Sequence, residues 1–159
     1  MSPFHDNLFG VLVYKKHFWR GHTVIRMFGL EKEILLTVDG QEDAEFSKTQ
    51  QEAFSYFLSD MDRIMAHVEK EIHHYYIMTV VESREIYGEA GEDQLPLFHS
   101  IKDLTKIVNP TELIVRGVGE HGKRRLGLLC EAEWDIENGV GVKIENEVVK
   151  EVDYQDIVL

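Results

Sequence analysis

A run of apolar side chains at helical spacing in the middle of the chain constrains its fold more than any other feature of the sequence. The side chains recur three and four positions apart, as they do on one face of an α-helix: Phe54, Phe57, Leu58, Met61, Ile64, Met65, Val68, Ile72 and Tyr75. Ser47, with Gln50 three residues later, has the spacing of a capping box, so the pattern predicts one long amphipathic helix over 47–76. Such a helix would run roughly 45 Å, and its apolar face needs a sheet to cover.

Segments typical of β-strands precede this helix. Apolar, β-rich runs occupy residues 8–14, 22–28 and 34–38, and we interpret residues 29–33 as the turn between the last two. Strands on the amino-terminal side of the helix can therefore supply the sheet that its apolar face requires.

The segment that follows the helix is more varied. Residues 77–81 either continue the helix or begin a strand, and residues 82–96 are acidic and contain glycine, which is typical of an exposed loop. Ser100 is placed to cap a short helix over 101–108, which Asn109-Pro110 would end, and residues 111–118 are β-like.

The C-terminal third has the alternation of an antiparallel meander. Leu128, Cys130, Ala132 and Trp134 would share one face of a strand, with Glu131 and Glu133 on the other. Asn138-Gly139 is the favoured dipeptide of a two-residue hairpin turn, and Gly141 suits a bulge or a close backbone approach.

Taken together, these patterns predict an α+β fold. We expect a single domain over residues 1–159, in which a mainly antiparallel sheet of six or seven strands is packed by the long helix 47–76 and the short helix 101–108.

Charge and cysteine content narrow the class of protein. The net charge is −12, and from residue 131 to residue 159 nine acids stand against two lysines. Such a chain repels nucleic-acid phosphates and attracts basic protein surfaces. One cysteine, Cys130, excludes an internal disulfide and is typical of a reducing compartment. No apolar run approaches the roughly 20 residues of a membrane helix, and no basic stretch precedes the first apolar run as it would in a secretory signal. We therefore expect a cytoplasmic protein with a basic protein partner and neither a nucleic-acid nor a membrane partner, while self-association stays open.

The acidic turn Asp135-x-Glu137-Asn138-Gly139 is the first candidate for metal chemistry. A calcium loop that started at Asp135 would need an oxygen ligand at its fifth position and glycine at its sixth, but Gly139 and Val140 stand there. The pattern favours a turn that displays Asp135 and Glu137 to a partner.

The helix carries the second candidate, in which His67, Glu71 and His74 lie within one face. Glu71-x-x-His74 is half of a di-iron motif, but the chain has neither a second long helix nor a second such pair. A mononuclear zinc site stays open, and the alternative is a polar margin beside the apolar stripe.

Motifs for nucleotide binding and for nucleophilic catalysis are weak or absent. Gly117-x-Gly119-x-x-Gly122 fits a dinucleotide fingerprint only in spacing, because it is predicted to join two strands and carries Glu120 where a pyrophosphate would lie. Cys130 falls inside a predicted strand, and no Gly-x-Ser-x-Gly elbow exists. We therefore expect no catalytic residues and no cofactor.

Several blocks along the chain together resemble one protein family. The blocks are Trp19, Thr49-Gln50-x-x-Ala53-Phe54, Tyr75-Tyr76, Asp103-Leu104 ahead of Asn109-Pro110, Cys130-x-x-x-Trp134-Asp135-x-Glu137-x-Gly139-x-Gly141-Val142, and Asp156. In this pattern the chain resembles the DUF6985/DUF2004-like group of bacterial domains of unknown function. The group often has histidine in place of Asn138, and that departure weakens the case for metal or acid–base chemistry at the turn. The resemblance carries no established activity, although small acidic α+β proteins of this kind are often suspected of being immunity proteins that neutralise toxins.

Two functional hypotheses follow from the sequence. The first is an acidic protein-binding module, such as an immunity or adaptor protein, that meets a basic partner through Glu131, Glu133, Trp134, Asp135, Glu137 and Asn138. The alternative is a metal-dependent hydrolase that uses either His67, Glu71 and His74 or the turn at Asp135 and Glu137.

Overall fold

Within the residues that the structure describes, one sheet of eight strands, hydrogen-bonded in the order of the sequence, forms the framework of the fold. The computed structural model describes residues 3–87, 100–117 and 122–159. Its strands are β1 Phe4–Asp6, β2 Gly10–Lys15, β3 Phe18–Met27, β4 Leu30–Asp39, β5 Val108–Val115, β6 Arg125–Ala132, β7 Val140–Glu145 and β8 Val148–Asp153. The predicted count of six or seven was wrong, because β1 is a three-residue edge strand without an apolar alternation that would reveal it.

The sheet is mixed, because β4 and β5 run parallel while every other neighbouring pair is antiparallel. Parallel neighbours need a long crossover. Here the chain between β4 and β5 includes the helices α1 Lys48–Ser59 and α2 Met61–Tyr87 and a 3-10 helix, Ile101–Lys106. The helices cover one face of the sheet, and the α+β class predicted from the sequence is confirmed.

The predicted long helix begins where expected but is broken in the middle. Ser47 Oγ accepts a hydrogen bond from the Gln50 backbone N–H, and Gln50 Oε1 accepts one from the Ser47 N–H, each at 3.1 Å. The helix geometry then fails at Asp60, where φ is −126° and ψ is 28°. The Asp60 carboxylate accepts a hydrogen bond from the Arg63 guanidinium, a local bond of the kind that short acidic side chains make at helix ends. The single helix over 47–76 was therefore wrong, and α2 continues through residues 77–81 to Tyr87.

The structure also corrects the short helix and one turn. Ser100 caps a 3-10 helix that ends at Lys106, not at residue 108, and β5 begins at Val108. Pro110 therefore lies inside β5, next to a shift in register that accommodates a residue without an N–H. The turn predicted at 29–33 is a two-residue turn at Phe28 and Gly29, both with positive φ, and β4 begins at Leu30. Most of the predicted loop 82–96, and residues 118–121 of the glycine-rich loop, lie outside the described residues.

The core lies between the helices and the inner face of the sheet. Most of the predicted helical stripe is buried in it: Phe54, Phe57, Met61, Ile64, Met65, Val68 and Ile72. Leu58 is 38% exposed, while Tyr75 is half-buried and packs against the edge of the core. On the strand side, Leu128, Cys130 and Ala132 are buried together as their alternation predicted. None of the helices in the described ranges is both long enough and apolar enough to cross a membrane.

Glu69 on α2 makes the stability of this packing depend on pH. Burial raises the pKa of its carboxyl, and a hydrogen bond from the Phe28 backbone partly opposes the rise. Because the pKa in the folded state lies above that in the unfolded state, the contribution of Glu69 to stability is complete at low pH. It is lost as the pH rises through the raised value.

We expect Glu69→Gln to make the protein more stable than the parent at pH 7, with the difference vanishing below about pH 4, near the ordinary pKa of glutamate. Urea unfolding across this range measures the difference, and Glu137→Gln at an exposed position controls for the lost charge. A difference that grew toward low pH would contradict the expectation.

Candidate functional site: a cleft between α2 and the meander

The acidic turn between β6 and β7 is a longer loop than the sequence predicted. It runs from residue 133 to residue 139, and only Gly139 of the Asn138-Gly139 pair has a positive φ, at 57°. Both oxygens of the Asp135 carboxylate accept a hydrogen bond from the Asn138 amide, at 3.1 Å each, and the Asn138 backbone N–H also bonds to this carboxylate. The predicted two-residue turn was therefore wrong, because Asn138 closes a wider loop onto Asp135 instead of taking the left-handed conformation.

The six residues predicted to bind a partner do not all line one pocket. Trp134 and Asp135 are half-buried beside α2. Glu131 and Glu133 are exposed and line a different pocket, with Lys106 and Ile136. Glu137 and Asn138 are exposed on the loop and line neither pocket.

Trp134 and Asp135 lie in a cleft of about 580 Å³ that we call the Trp134 cleft. Among the described residues, three elements line it: the second half of α2, the loop after β6, and the end of β8 with Tyr154. Its lining is Tyr75, Met78, Thr79, Val81, Glu82, Trp134, Asp135, Asp153 and Tyr154. Acids and aromatic rings therefore share one concave surface with exposed aliphatic side chains.

Helical spacing and ring packing position the walls of this cleft. Four of the lining residues share one face of α2, because Met78, Thr79 and Glu82 lie three, four and seven positions after Tyr75. Trp134 is fixed by the buried Tyr76, whose ring it meets edge to face with centroids 4.8 Å apart and an interplanar angle of 84°. Asp153 is brought to the same end of the sheet by its pairing with Gly141 at the start of β7.

The charged residues in the described lining of the cleft are all carboxylates. Burial raises the pKa of the Tyr75 hydroxyl to about 12, and the carboxylates of Asp153, Asp135 and Glu82 and the Tyr154 hydroxyl add to the rise. None of the ion pairs within the described residues uses Glu82, Asp135 or Asp153. The described lining of the cleft also contains no lysine, arginine or histidine.

Most of this cleft is not visible in the sequence. Tyr75 was assigned to the apolar stripe, and Glu82, Asp153 and Tyr154 were not singled out. The one available signal was the line of Tyr75, Met78 and Glu82 at helical spacing, which becomes visible only if residues 77–82 are assigned to the helix.

The residues of the alternative metal hypothesis do not form a centre. His67 Nε2 lies 3.6 Å from Glu71 Oε1, while His74 is exposed. Across the described ranges, no group of three or more His, Cys, Asp or Glu is arranged to hold a metal ion. The acids of the Trp134 cleft come from three elements, with Glu82 on α2, Asp135 on the loop after β6 and Asp153 at the end of β8.

Comparisons with known proteins place the chain in one family. No curated protein and no solved structure shows a significant match. The model of a domain of unknown function, DUF6985, matches residues 8–159, nearly the whole chain and both walls of the Trp134 cleft. The chain therefore belongs to the DUF6985 family, as its sequence blocks had indicated.

Proposed function

We propose that this domain is an acidic, cytoplasmic protein-binding module whose Trp134 cleft takes a basic segment of a protein partner. One observation carries the proposal: the carboxylates of Glu82, Asp135 and Asp153 surround Tyr75 and have no basic partner among the described residues. A lysine or arginine side chain that entered the cleft would supply the missing positive charge.

Aromatic rings make the cleft suitable for an organic cation. Trp134 and Tyr154 line it together with Tyr75, and a cation over such a ring gains about 0.5–2 kcal/mol, depending on how far it is desolvated. Arginine gains further from its planar donors, which can bond to carboxylate oxygens in pairs.

The aliphatic part of the cleft suits a peptide segment more than a free cation. Met78 and Val81 on α2 are 56% and 46% exposed, which leaves apolar surface beside the acids. The methylene stems of lysine and arginine cover such surface while their charged ends remain near polar groups. The volume of about 580 Å³ also exceeds what a single side chain would fill.

An immunity or adaptor role fits a module of this kind. Both roles need a stoichiometric complex with a protein and no chemical step. The net charge of −12 would speed encounter with a basic partner, and added salt would slow that encounter.

The proposal is tested with a basic peptide and one charge reversal. The protein has two tryptophans, so the indole N–H signal of Trp134 can be followed by NMR and assigned with Trp134→Phe. We expect an acetylated and amidated Gly-Arg-Gly-Arg-Gly peptide to shift this signal. We expect Glu82→Lys to weaken the binding on the order of tenfold, since a charge is reversed at the wall of the cleft.

Glu33→Lys is the matched control, because it makes the same change in charge at an exposed residue of β4 that does not line the cleft. We expect it to weaken binding less than twofold at physiological salt, where distant charges are screened. Equal effects of the two reversals, or no shift of the Trp134 signal, would rule the proposal out.

A further inference from the structure

A second cleft, of about 560 Å³, combines acids and aromatic rings near the other tryptophan. Four parts of the chain build it: β1, the start of β3, the loop that follows β4, and α1. We call it the Trp19 cleft, and its lining is Phe4, Asp6, Trp19, Glu42, Asp43, Ala44, Glu45, Phe46 and Gln51.

Its aromatic wall is held in place by ring contacts and one hydrogen bond. The Trp19 ring lies 5.5 Å from the ring of Phe4 and 6.1 Å from that of Phe46, centroid to centroid. The Trp19 indole N–H donates to the Gln41 carbonyl at 3.3 Å, which fixes the loop after β4 against the ring. Phe4 remains 46% exposed on the edge strand, so part of this wall faces solvent.

The acids of the Trp19 cleft also lack basic partners. Glu42, Asp43 and Glu45 are exposed and take part in none of the ion pairs of the described residues. Asp6 differs from them, because its carboxylate accepts the backbone N–H groups of Leu8 and Phe9 at 2.8 Å. The described lining includes no lysine, arginine or histidine.

We propose that the Trp19 cleft binds a second basic segment of the same protein partner. Charge complementarity supports this assignment, because three acids without basic partners stand beside an aromatic wall, as in the Trp134 cleft. The identity of the partner rests on the proposed function, while the capacity of the Trp19 cleft for a cationic side chain does not.

The two clefts lie too far apart for one short peptide to fill both. The loop of the Trp19 cleft follows Asp39 at the end of β4, and Leu35–Val38 of β4 pair in parallel with β5. Trp134 instead follows the end of β6, which pairs with the start of β5, so it lies at the opposite end of the strands. With about 3.3 Å per residue along a strand and 4.8 Å between strands, the clefts are roughly 30 Å apart.

The first experiment follows both indole N–H signals during titration with the Gly-Arg-Gly-Arg-Gly peptide, which extends to at most roughly 17 Å. We expect both signals to move and Glu42→Lys to abolish the movement of the Trp19 signal alone. Glu33→Lys, an equal change in charge at an exposed residue of β4 outside the cleft, is the control and should leave both movements intact. Asp43→Lys replaces Glu42→Lys if the first variant folds poorly.

The outcomes separate this inference from the proposed function. If only the Trp134 signal moves, the Trp19 cleft is ruled out as a binding site and the proposed function stands. If only the Trp19 signal moves, the Trp134 cleft is ruled out and the Trp19 cleft stands. A Trp19 signal that moves equally in the Glu42→Lys and Glu33→Lys variants overturns the assignment of the cation to this cleft.

The second experiment tests whether one partner can use both clefts. Two copies of the peptide are joined by a Gly/Ser linker of about 30 residues, whose average span matches the separation of the clefts. We expect at least tenfold tighter binding than for one copy, and a return to the single-copy affinity in either Glu42→Lys or Glu82→Lys. Equal affinities of the single and joined peptides overturn the simultaneous use of both clefts.

Discussion

Replacing Gly139 with alanine is expected to lower the free energy of unfolding by about 3 kcal/mol, with about 1 kcal/mol from the left-handed backbone and the rest from crowding. Gly139 has a φ of 57°, which a side chain rarely adopts. A Cβ atom there would also lie 2.7 Å from the Cys130 carbonyl oxygen and 2.5 Å from Gln155 Nε2. Neither group can easily retreat, because Gln155 Nε2 donates a hydrogen bond to that same oxygen at 2.8 Å.

Gly29→Ala separates the two causes. Gly29 has a φ of 78°, but a Cβ atom there meets nothing within 4 Å. We therefore expect this variant to lose only the backbone contribution of about 1 kcal/mol. Unfolding in urea, followed by circular dichroism, compares the two variants with the parent. Equal losses would show that crowding at Gly139 contributes nothing.

Close packing of the C-terminal residues against the sheet explains why glycine stands at several positions of β6, β7 and the loop between them. A C-terminal 3-10 helix, Gln155–Val158, packs on the outer face of the sheet over β6 and β7. A Cβ atom at Gly141 would lie 2.8 Å from the Tyr154 carbonyl oxygen, and one at Gly127 would lie 2.7 Å from Val158 Cβ. The prediction of a close backbone approach at Gly141 is confirmed, and the glycine spacing is needed for packing.

Local signals predicted two features of the fold at the correct residues. The capping box at Ser47 and the alternation at Leu128, Cys130 and Ala132 depend on near neighbours in sequence, and both were found where expected. The break at Asp60 could not be predicted, because the apolar spacing continues across it from Phe57 to Met61 and Ile64. The parallel pairing of β4 with β5 likewise depends on where the crossover returns, which periodicity does not encode.

The candidate site was harder to predict than the fold. Trp134 and Asp135 were expected at a partner surface, and they do line a cleft, but the reason is a contact with α2 that lies far away in sequence. Tyr75 was predicted to lie in the apolar stripe, because helical spacing alone does not show whether a residue lies at the edge of the stripe or at its centre. Glu82 and Asp153 come from separate elements, so only the tertiary structure brings them together.

Replacing Tyr76 with alanine is expected to lower the free energy of unfolding by about 4 kcal/mol, as for other large aromatic side chains lost from a core. Tyr76 is 1% exposed, and its ring supports Trp134 edge to face. Its removal should also weaken binding of the Gly-Arg-Gly-Arg-Gly peptide, because Trp134 would no longer be fixed at the wall of the cleft.

Tyr154→Ala distinguishes support of the cleft from contact within it. Tyr154 also lines the Trp134 cleft but is 45% exposed, so its loss should change the free energy of unfolding by less than about 1 kcal/mol. If Tyr154 contacts the bound cation directly, its removal should still weaken peptide binding about three- to tenfold, in line with the strength of a cation over an aromatic ring. Urea unfolding and the Trp134 indole signal measure the two effects on the same samples. A Tyr154→Ala variant that bound the peptide as tightly as the parent would remove the aromatic ring from the recognition mechanism and leave the carboxylates to act alone.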